Sequence, residues 1–451
     1  MDNNSTIQMA PILLSNFTIP PLSPTPTSPL HILPHILLPL LLLLSYFPPP
    51  SRLRAPLFLV LLTPLQYAAT TSPWPPNIGT TRALRYGLSS SWIFVLPTVE
   101  RLVMHTPERD FFRVEDVDDD ETTKKKKREG AVKEWSWEKM WWGVRLVCTP
   151  RGVGWNFGSR SLNAERGRIR ERRLKGERGH KRWEFVVTCL AKAAVFYLVW
   201  DVIMLVERRV VFPEDGEWVW GWKGEELGRV AVVEGLMLGT VYCGMRLQFE
   251  VAAAVGVGLG VNEVEEWPPL FGSLFDCYTT AGVWGKFWHQ YIRQPCLGFS
   301  RYFVEVLRVP RRSSLAYLIH LTNAFLISTF FHVLSVGAVA GGYYPLRSLI
   351  SDMSIFFMLQ PVGAAIEGTT MVLFSRYVWA SSKKDKEQQT RRERVAEAVM
   401  PAICRIFGCV WVICWFFVTA FWFVRAYAGV RMQDWRLPYS IVGELLGVPK
   451  E

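Results

Sequence analysis

The stretch LTNAFLISTFFHVLSVGA, residues 321–338, decides how this chain is read. It is apolar over nearly the ~20 residues that a helix needs to cross a bilayer. Near its centre stands His332. An ionisable side chain at such depth is costly, and by default it marks a functional position. Ser328 lies four residues before it, Thr329 three before and Ser335 three after, so at helical spacing all three share its face. Two readings follow. The imidazole is a neutral polar group satisfied by those hydroxyls or by a neighbouring helix, or it is a base, since the neutral form can accept a proton.

Working outward, apolar runs recur. Candidate spans fall near 31–47, 57–69, 86–104, 183–206, 229–260, 315–340, 353–379 and 402–428, about eight in all. The expectation is an all-α, polytopic transmembrane helical protein. The 451 residues are 50% hydrophobic and include 20 Trp, which excludes an ordinary soluble domain. The formal charge of +11 would suggest nucleic acid in a soluble protein. Here Lys and Arg sit in short tracts between the apolar runs, as positive-inside loops do, and contact with membrane lipid rather than nucleic acid is expected.

The organisation reads as five parts. Residues 1–30 form a polar, non-cytosolic tail with sequons at Asn3, Asn4 and Asn16. Residues 31–104 hold the first spans, with no basic n-region of a signal peptide. Residues 105–182 form a cytosolic basic loop, in which EDVDDDETTKKKKREG (115–130) reads as disordered and ERGRIRERRLKGERGHKR (165–182) as a solvated surface or a contact for acidic lipid. The membrane-embedded core is 183–430, and 431–451 is a C-terminal tail. Within the core, GVGLG (256–260) is either a small-residue packing seam or a helix end. Placing 105–182 in the cytosol puts 261–314 and 380–401 there too, and these carry most of the remaining basic clusters.

The eight Cys contain no CxxC pair, so neither a disulfide framework nor a metal site is expected. Of the seven His, His31 and His35 flank the first run, His105 and His180 belong to polar loops, and His320 reads as a cap at the cytosolic end of the sixth span. His289 lies in GVWGKFWHQYIRQP (282–295), with Trp284, Phe287, Trp288, Tyr291, Lys286 and Arg293 around it. Rings of this kind suit the bilayer interface, but an aromatic belt does not account for the His and the following cations. The preceding EEWPPLFG (265–272) reads as a break or surface turn.

In this order, WPPLFG, DCYTTAGVWGKFWHQYIRQP and NAFLISTFFHV resemble the wax-synthase branch of the membrane-bound O-acyltransferase superfamily in its fungal form, with RGVGWNF (151–157) and MLQPVGAAIE (358–367) as further landmarks. The resemblance covers roughly 145–430. It implies an acyl-CoA:alcohol O-acyltransferase of the endoplasmic reticulum membrane. Acyl-CoA would be a co-substrate, no cofactor would be permanently bound, and the acceptor would be a long-chain or secondary-metabolite alcohol. It implies His332 as the catalytic residue and His289 as its polar partner. Trp284, Trp288, Tyr291 and Ser328 would line the substrate path, and the tract around Arg293, Arg301 and Arg311 would meet the coenzyme A phosphates. One departure stands out: Thr329 and Val333 occupy places where the family commonly has Gly and an acidic residue. No Ser elbow or activated Cys motif is present, so direct transfer is expected rather than an acyl-enzyme. A transporter or a non-catalytic scaffold is the rival class. A transporter would use intramembrane carboxylates, for which Asp201, Glu234, Glu250 and Glu367 are the candidates.

Overall fold

In a computed structural model, each expected span falls on a helix. The structure describes residues 33–71, 86, 90–115, 127–128, 133–177, 179, 181–207, 226–340, 344–382, 391–430, 437 and 439–447. In chain order the helices are α1 Leu33–Leu44, α2 Arg54–Thr71, α3 Trp92–Met104, α4 Trp137–Val147, α5 Arg160–Leu174, α6 Arg182–Val206, α7 Glu226–Gly258, α8 Arg293–Val306, α9 Ser314–Ala340, α10 Leu346–Ser382, α11 Arg391–Gly429 and the short α12 Ile441–Leu445. Among the described residues, five segments are long and apolar enough to cross a bilayer: Arg182–Val206, Leu227–Gly258, Ser314–Ala340, Leu346–Leu373 and Ala402–Gly429. α1, α2 and α3 fall short of that standard, and each is interrupted by a proline: Pro39, Pro64 and Pro97. The protein is therefore an all-α integral membrane protein whose five strong spans occupy the C-terminal two-thirds of the chain.

The five spans share one core. Met204 of α6, Val233 and Met237 of α7, Phe325 and Val339 of α9, Met353, Phe356 and Phe357 of α10, and Val424 and Tyr427 of α11 are buried together. Each span turns other large apolar side chains outward, for example Val187, Leu190 and Val195 on α6. At one end of the bundle a half-buried ion pair ties α10 to α11. Asp352 accepts from Arg425 Nε at 2.9 Å and from the Tyr344 hydroxyl at 2.6 Å. α9 starts where Ser313 Oγ accepts from Ala316 N at 3.1 Å, an N-cap bond that satisfies one otherwise orphaned donor.

The polar insertion behaves differently from its composition. Ser136 and Ser159 cap α4 and α5, and Trp142, Leu146 and Trp155 join a second core with Leu38, Tyr46 and Val95. Part of 133–177 is thus packed rather than solvated, because Trp142 and Trp155 are buried, with Lys139 and Arg151 buried beside them, while Trp135 and Trp137 stay exposed. Of the basic helix α5, Arg173 pairs with Glu263 and Glu265 at 3.1 and 3.0 Å. The ends of the acidic–basic block are paired too: β1 Val114–Glu115 runs antiparallel to β2 Lys127–Arg128. Its middle, 116–126, lies outside the described residues, as do the N-terminal tail with its sequons and most of 431–451. GVGLG is a helix end. α7 stops at Gly258, and Gly260 adopts φ 73°, a left-handed conformation that glycine adopts without strain.

Candidate active site

His332 lies on α9 and faces α10 and α11. Its ring packs on Phe357 at 4.6 Å between centroids and reaches Phe423 at 6.1 Å. Nδ1 is 2.7 Å from the carbonyl oxygen of Ser328. A carbonyl oxygen only accepts, so Nδ1 carries the proton and Nε2 keeps a lone pair. The expected hydroxyl partners are corrected here. It is the backbone of Ser328, not its side chain, that holds the ring, and the Thr329 hydroxyl turns back to Phe325 O at 2.9 Å. The i−4 spacing made either partner possible.

His289 reaches the same interior from a different element. A helical turn at Thr280–Gly282 runs into one turn of π-helix, Val283–Phe287, closed by Trp288 N donating to Val283 O at 2.7 Å. Such wide turns are rare and recur at functional sites. The turn leaves Trp288, His289 and Tyr291 stacked beside one another, with His289 at 5.4 Å from Trp288 and 5.3 Å from Tyr291. His289 Nδ1 is buried and has no hydrogen-bond partner among the described residues. Burial pushes its pKa down to about 3, and the neighbouring His332 imidazole and Arg151 guanidinium push the same way. His289 is therefore neutral at physiological pH. The two histidines singled out in the sequence are not in ring contact; they are linked through Trp284, which touches Trp288 beside His289 and Phe356 beside Phe357 and His332.

Three braces fix this segment. Trp284 Nε1 donates to Gln360 Oε1 at 3.2 Å, and Gln360 is itself held by Phe356 O and Thr419 Oγ1. Glu367 Oε1 accepts from Thr280 N at 2.5 Å, Thr280 Oγ1 at 2.6 Å and Trp411 Nε1 at 2.7 Å. Arg151 donates from Nη1 to Pro268 O at 2.8 Å and from Nη2 to Pro269 O at 2.7 Å. Sequence reasoning noticed RGVGWNF and MLQPVGAAIE as landmarks but gave them no role. They are what holds the aromatic segment. EEWPPLFG is a break, one of its two expected readings: it lies between α7 and the aromatic segment, with Pro268 buried and Pro269 and Gly272 exposed. Leu270 and Phe271 are buried, and Gly272 N donates to Phe287 O at 2.8 Å. A Cβ on Gly272 would lie 2.3 Å from the Lys286 carbonyl oxygen, so the close approach requires glycine there.

The other expected residues divide. Trp284 is wedged among Phe325, Phe356 and Phe416 at 5.5, 6.3 and 5.8 Å, as a wall of the interior. Arg293 opens α8 and is exposed, with no carboxylate partner among the described residues. Arg301 and Arg311 do not form a phosphate tract with it. Arg311 pairs with Glu305 at 2.8 Å. Arg301 lines a polar cavity of about 170 Å³ with Glu100, His105, Asp110 and Gln294, a setting too acidic for phosphate. His320 does not cap its helix; its Nδ1 meets Ser300 Oγ at 2.7 Å and joins α9 to α8. A shallow groove of about 530 Å³ on α6 and α7 is lined by Val195, Phe196, Lys192 and Arg246. Neither cavity is lined by His289 or His332, but Arg246 acts on Tyr291 from the groove side.

Three of the four intramembrane acids have structural partners. Asp201 caps α12 through Ser440 Oγ and Val442 N at 2.7 and 2.8 Å, Glu250 pairs with Arg246 at 2.6 Å, and Glu367 braces the aromatic turn. Glu234 Oε1 is buried without one among the described residues. That pattern does not form the carboxylate relay a transporter would use.

Comparison with known proteins agrees with this geometry. Residues 267–359 match the family described as Membrane bound O-acyl transferase family. The matched segment contains WPPLFG, the π-turn, both histidines and Phe357. The chain is 28% identical over 304 residues to Acetyltransferase cdmC of Talaromyces verruculosus, covering 65% of this chain and 67% of that protein. It is 29% identical over 250 residues to Acetyltransferase ataH of Aspergillus terreus, covering 51% and 76%. With Acetyltransferase TRI7 of Fusarium sporotrichioides it shares 29% identity over 198 residues, covering 44% and 42%. No solved structure matches the chain.

Proposed function

We propose that this chain, an acyltransferase of the membrane-bound O-acyltransferase family, transfers an acetyl group from acetyl-CoA to the hydroxyl of a lipophilic secondary metabolite. The observation that carries the reading is the contact of His332 Nδ1 with the Ser328 carbonyl oxygen at 2.7 Å, from which the tautomer follows. With Nδ1–H committed to the Ser328 carbonyl, Nε2 is free to accept a proton. An alcohol is a weak nucleophile near neutral pH. His332 Nε2 takes its proton as the oxygen attacks the thioester carbon. The thiolate leaves and receives that proton back, so coenzyme A departs as the thiol and no acyl-enzyme forms. His289, neutral and with an unused Nδ1, orients the acceptor or the thioester carbonyl. Trp288 and Tyr291 line the donor path, with Trp284 behind them and Ser328 beside the base, and Arg293 stands at the aqueous mouth.

The acetyl donor is supported by the names of the relatives, all acetyltransferases from fungi. Acyl-CoA enters from the cytosol as a co-substrate, and the acceptor arrives from the bilayer, with the endoplasmic reticulum as the membrane. Keeping the reaction among apolar rings excludes water that would otherwise hydrolyse the thioester. The test is esterification by membranes containing the protein, with acetyl-CoA against palmitoyl-CoA and a set of lipophilic alcohols. Acetyl-CoA should be preferred. At equal abundance His332→Ala should lower kcat by about 10²–10⁴. A variant working near the wild-type rate would remove His332 from the reaction.

A further inference from the structure

Arg151 is a buried cation without a counter-ion. Its two terminal nitrogens are spent on the neutral carbonyls of Pro268 and Pro269, and its guanidinium lies over the Phe249 ring at 5.6 Å. Its Nε–H is buried with no acceptor, and among the described residues no carboxylate is within ion-pair distance. Arg54 and Lys139 are compensated by Glu108, and Arg246 by Glu250, whereas the buried Arg101 of α3 also has no ion pair among the described residues and lies over the Phe157 and Phe111 rings of the second core. An uncompensated buried charge costs several kcal/mol. The fold nonetheless constructs the position with care. Gly152 and Gly154 adopt φ 69° and 78°, and a Cβ on Gly158 would lie 2.1 Å from Gly152 O. The loop that carries Arg151 is thus held in one tight conformation.

The groups that feel this charge are Tyr291 and His289, in the segment that faces His332. Arg151 lies over Phe249, which shares a buried aromatic cluster with Phe271, Trp288 and Tyr291, and Phe271 is 6.4 Å from the His289 ring; Arg151 Nε and His289 Nδ1, both buried without a partner among the described residues, flank that cluster. The donor offers two kinds of negative charge. Its phosphates lie at the far end of the pantetheine arm and cannot sit beside the imidazoles while the thioester does. The other charge is made by the reaction itself, on the carbonyl oxygen.

We propose that Arg151 is a catalytic residue whose Nε–H and positive charge stabilise the oxyanion formed on the thioester carbonyl. The inference rests on the acyl-transfer reading above. As the alcohol oxygen bonds to the carbonyl carbon, its proton passes to His332 and the C=O π pair moves onto the oxygen beside Arg151. Collapse re-forms the carbonyl and breaks the C–S bond, and the proton passes from His332 to sulfur. Arg151 is suited to this because its orientation is set before the substrate arrives, and such preorganised charge in a water-poor site is the large term in acyl transfer.

The experiment compares wild type, His332→Ala, Arg151→Gln and Arg151→Lys in membranes at equal abundance. Acetyl-CoA is the donor, the acceptor is the alcohol that wild type turns over best, and desulfo-CoA is the probe of donor binding. Arg151→Gln keeps a donor for the proline carbonyls and loses the charge; its kcat should fall by about 10²–10³. Its KM for acetyl-CoA and its inhibition by desulfo-CoA should stay within about threefold of wild type, because the oxyanion exists only in the transition state. Arg151→Lys should recover at least about tenfold of the lost kcat, as a charge does and a brace does not. The proposal is overturned if Arg151→Gln keeps kcat within threefold of wild type, or if a folded Arg151→Lys is as slow as Arg151→Gln. If Arg151→Gln fails to fold, Arg151→Lys decides alone: folded and inactive overturns the proposal, folded and active supports it. An active wild type that His332→Ala abolishes, with Arg151→Gln unaffected, would sink this inference and leave the acyl-transfer reading standing. An inactive wild type would sink both.

Discussion

Two histidines sit in two polar neighbourhoods built on opposite principles. His105 faces the small cavity at the start of α8. Its Nε2 is 3.1 Å from the buried Glu100 carboxylate, its Nδ1 is 3.6 Å from Asp110, and Arg301 stands nearby. Every charge there has an opposite, and the hydrogen bond that His105 donates to Glu100 raises the His105 pKa. His289 has no acid beside it among the described residues. Its neighbours are aromatic rings, a second imidazole and the uncompensated Arg151, and its pKa is driven down. A balanced cluster is complete as folded and serves to join α3 to α8. An unbalanced one, kept against its own cost, is organised around something that arrives later.

Substituting both histidines is the strongest way to break that contrast. His289→Ala should lower kcat by at least about 10² while leaving the thermal midpoint in detergent unchanged or raised, because it removes a buried orphan nitrogen. His105→Ala should do the reverse, keeping kcat within about threefold and losing on the order of 1 kcal/mol, since the Glu100 contact is partly exposed on the His side. Equal loss of activity in the two variants would erase the distinction.

The braces come next in size. Glu367→Ala strands the Thr280 N–H and hydroxyl and the Trp411 indole, all of which now meet one carboxylate oxygen. Each buried donor left without an acceptor costs about 1–3 kcal/mol, and three are stranded at once. Thermal stability and acyl transfer should fall together, unlike in His289→Ala. Gln360→Ala leaves only the Trp284 N–H short of a partner, because the Thr419 hydroxyl still donates to Trp415 O, and should cost about 1–3 kcal/mol. If Gln360→Ala proved worse than Glu367→Ala, the carboxylate would not be the main support of the turn.

What could be read in advance follows the same division. His332 was legible because an ionisable residue in an apolar run is conspicuous in one dimension, and His289 because the rings around it are adjacent in sequence. The braces were not. Arg151, Gln360 and Glu367 reach partners on other elements between 44 and 118 residues away, and nothing in local spacing encodes those meetings. The π-turn was equally hidden, since its register depends on Gly272 docking against Phe287 and not on propensity. In the 105–182 insertion, charge density suggested a solvated loop. Yet Trp142 and Trp155 bury against α1 and α3, because a few inward-facing rings outweigh many outward-facing charges. The early spans were visible as apolar runs, but their prolines and short length were the better guide to what folded.

The smallest effect tests the contrast through pH, and the two histidines carry opposite signs. The folded-state pKa of His105 is raised above its ordinary value of 6.5. Its contribution to stability is therefore fully present below pH 6.5 and is lost as pH rises through the raised value. The folded-state pKa of His289 is lowered to about 3. Below pH 6.5 the unfolded chain takes up a proton that the folded chain refuses, so stability is lost progressively as pH falls from 6.5 toward 3. In thermal unfolding in detergent, His289→Gln should lose less than wild type between pH 6.5 and 5, where refusal of the proton at His289 is the penalty being removed. His105→Gln should instead flatten the alkaline side between pH 6.5 and 8, by a smaller amount because its ring is partly solvated. Curves that shift in the same direction for both variants would mean that the neighbourhoods are not of opposite character, and that the missing counter-charge beside Arg151 is supplied by the protein itself.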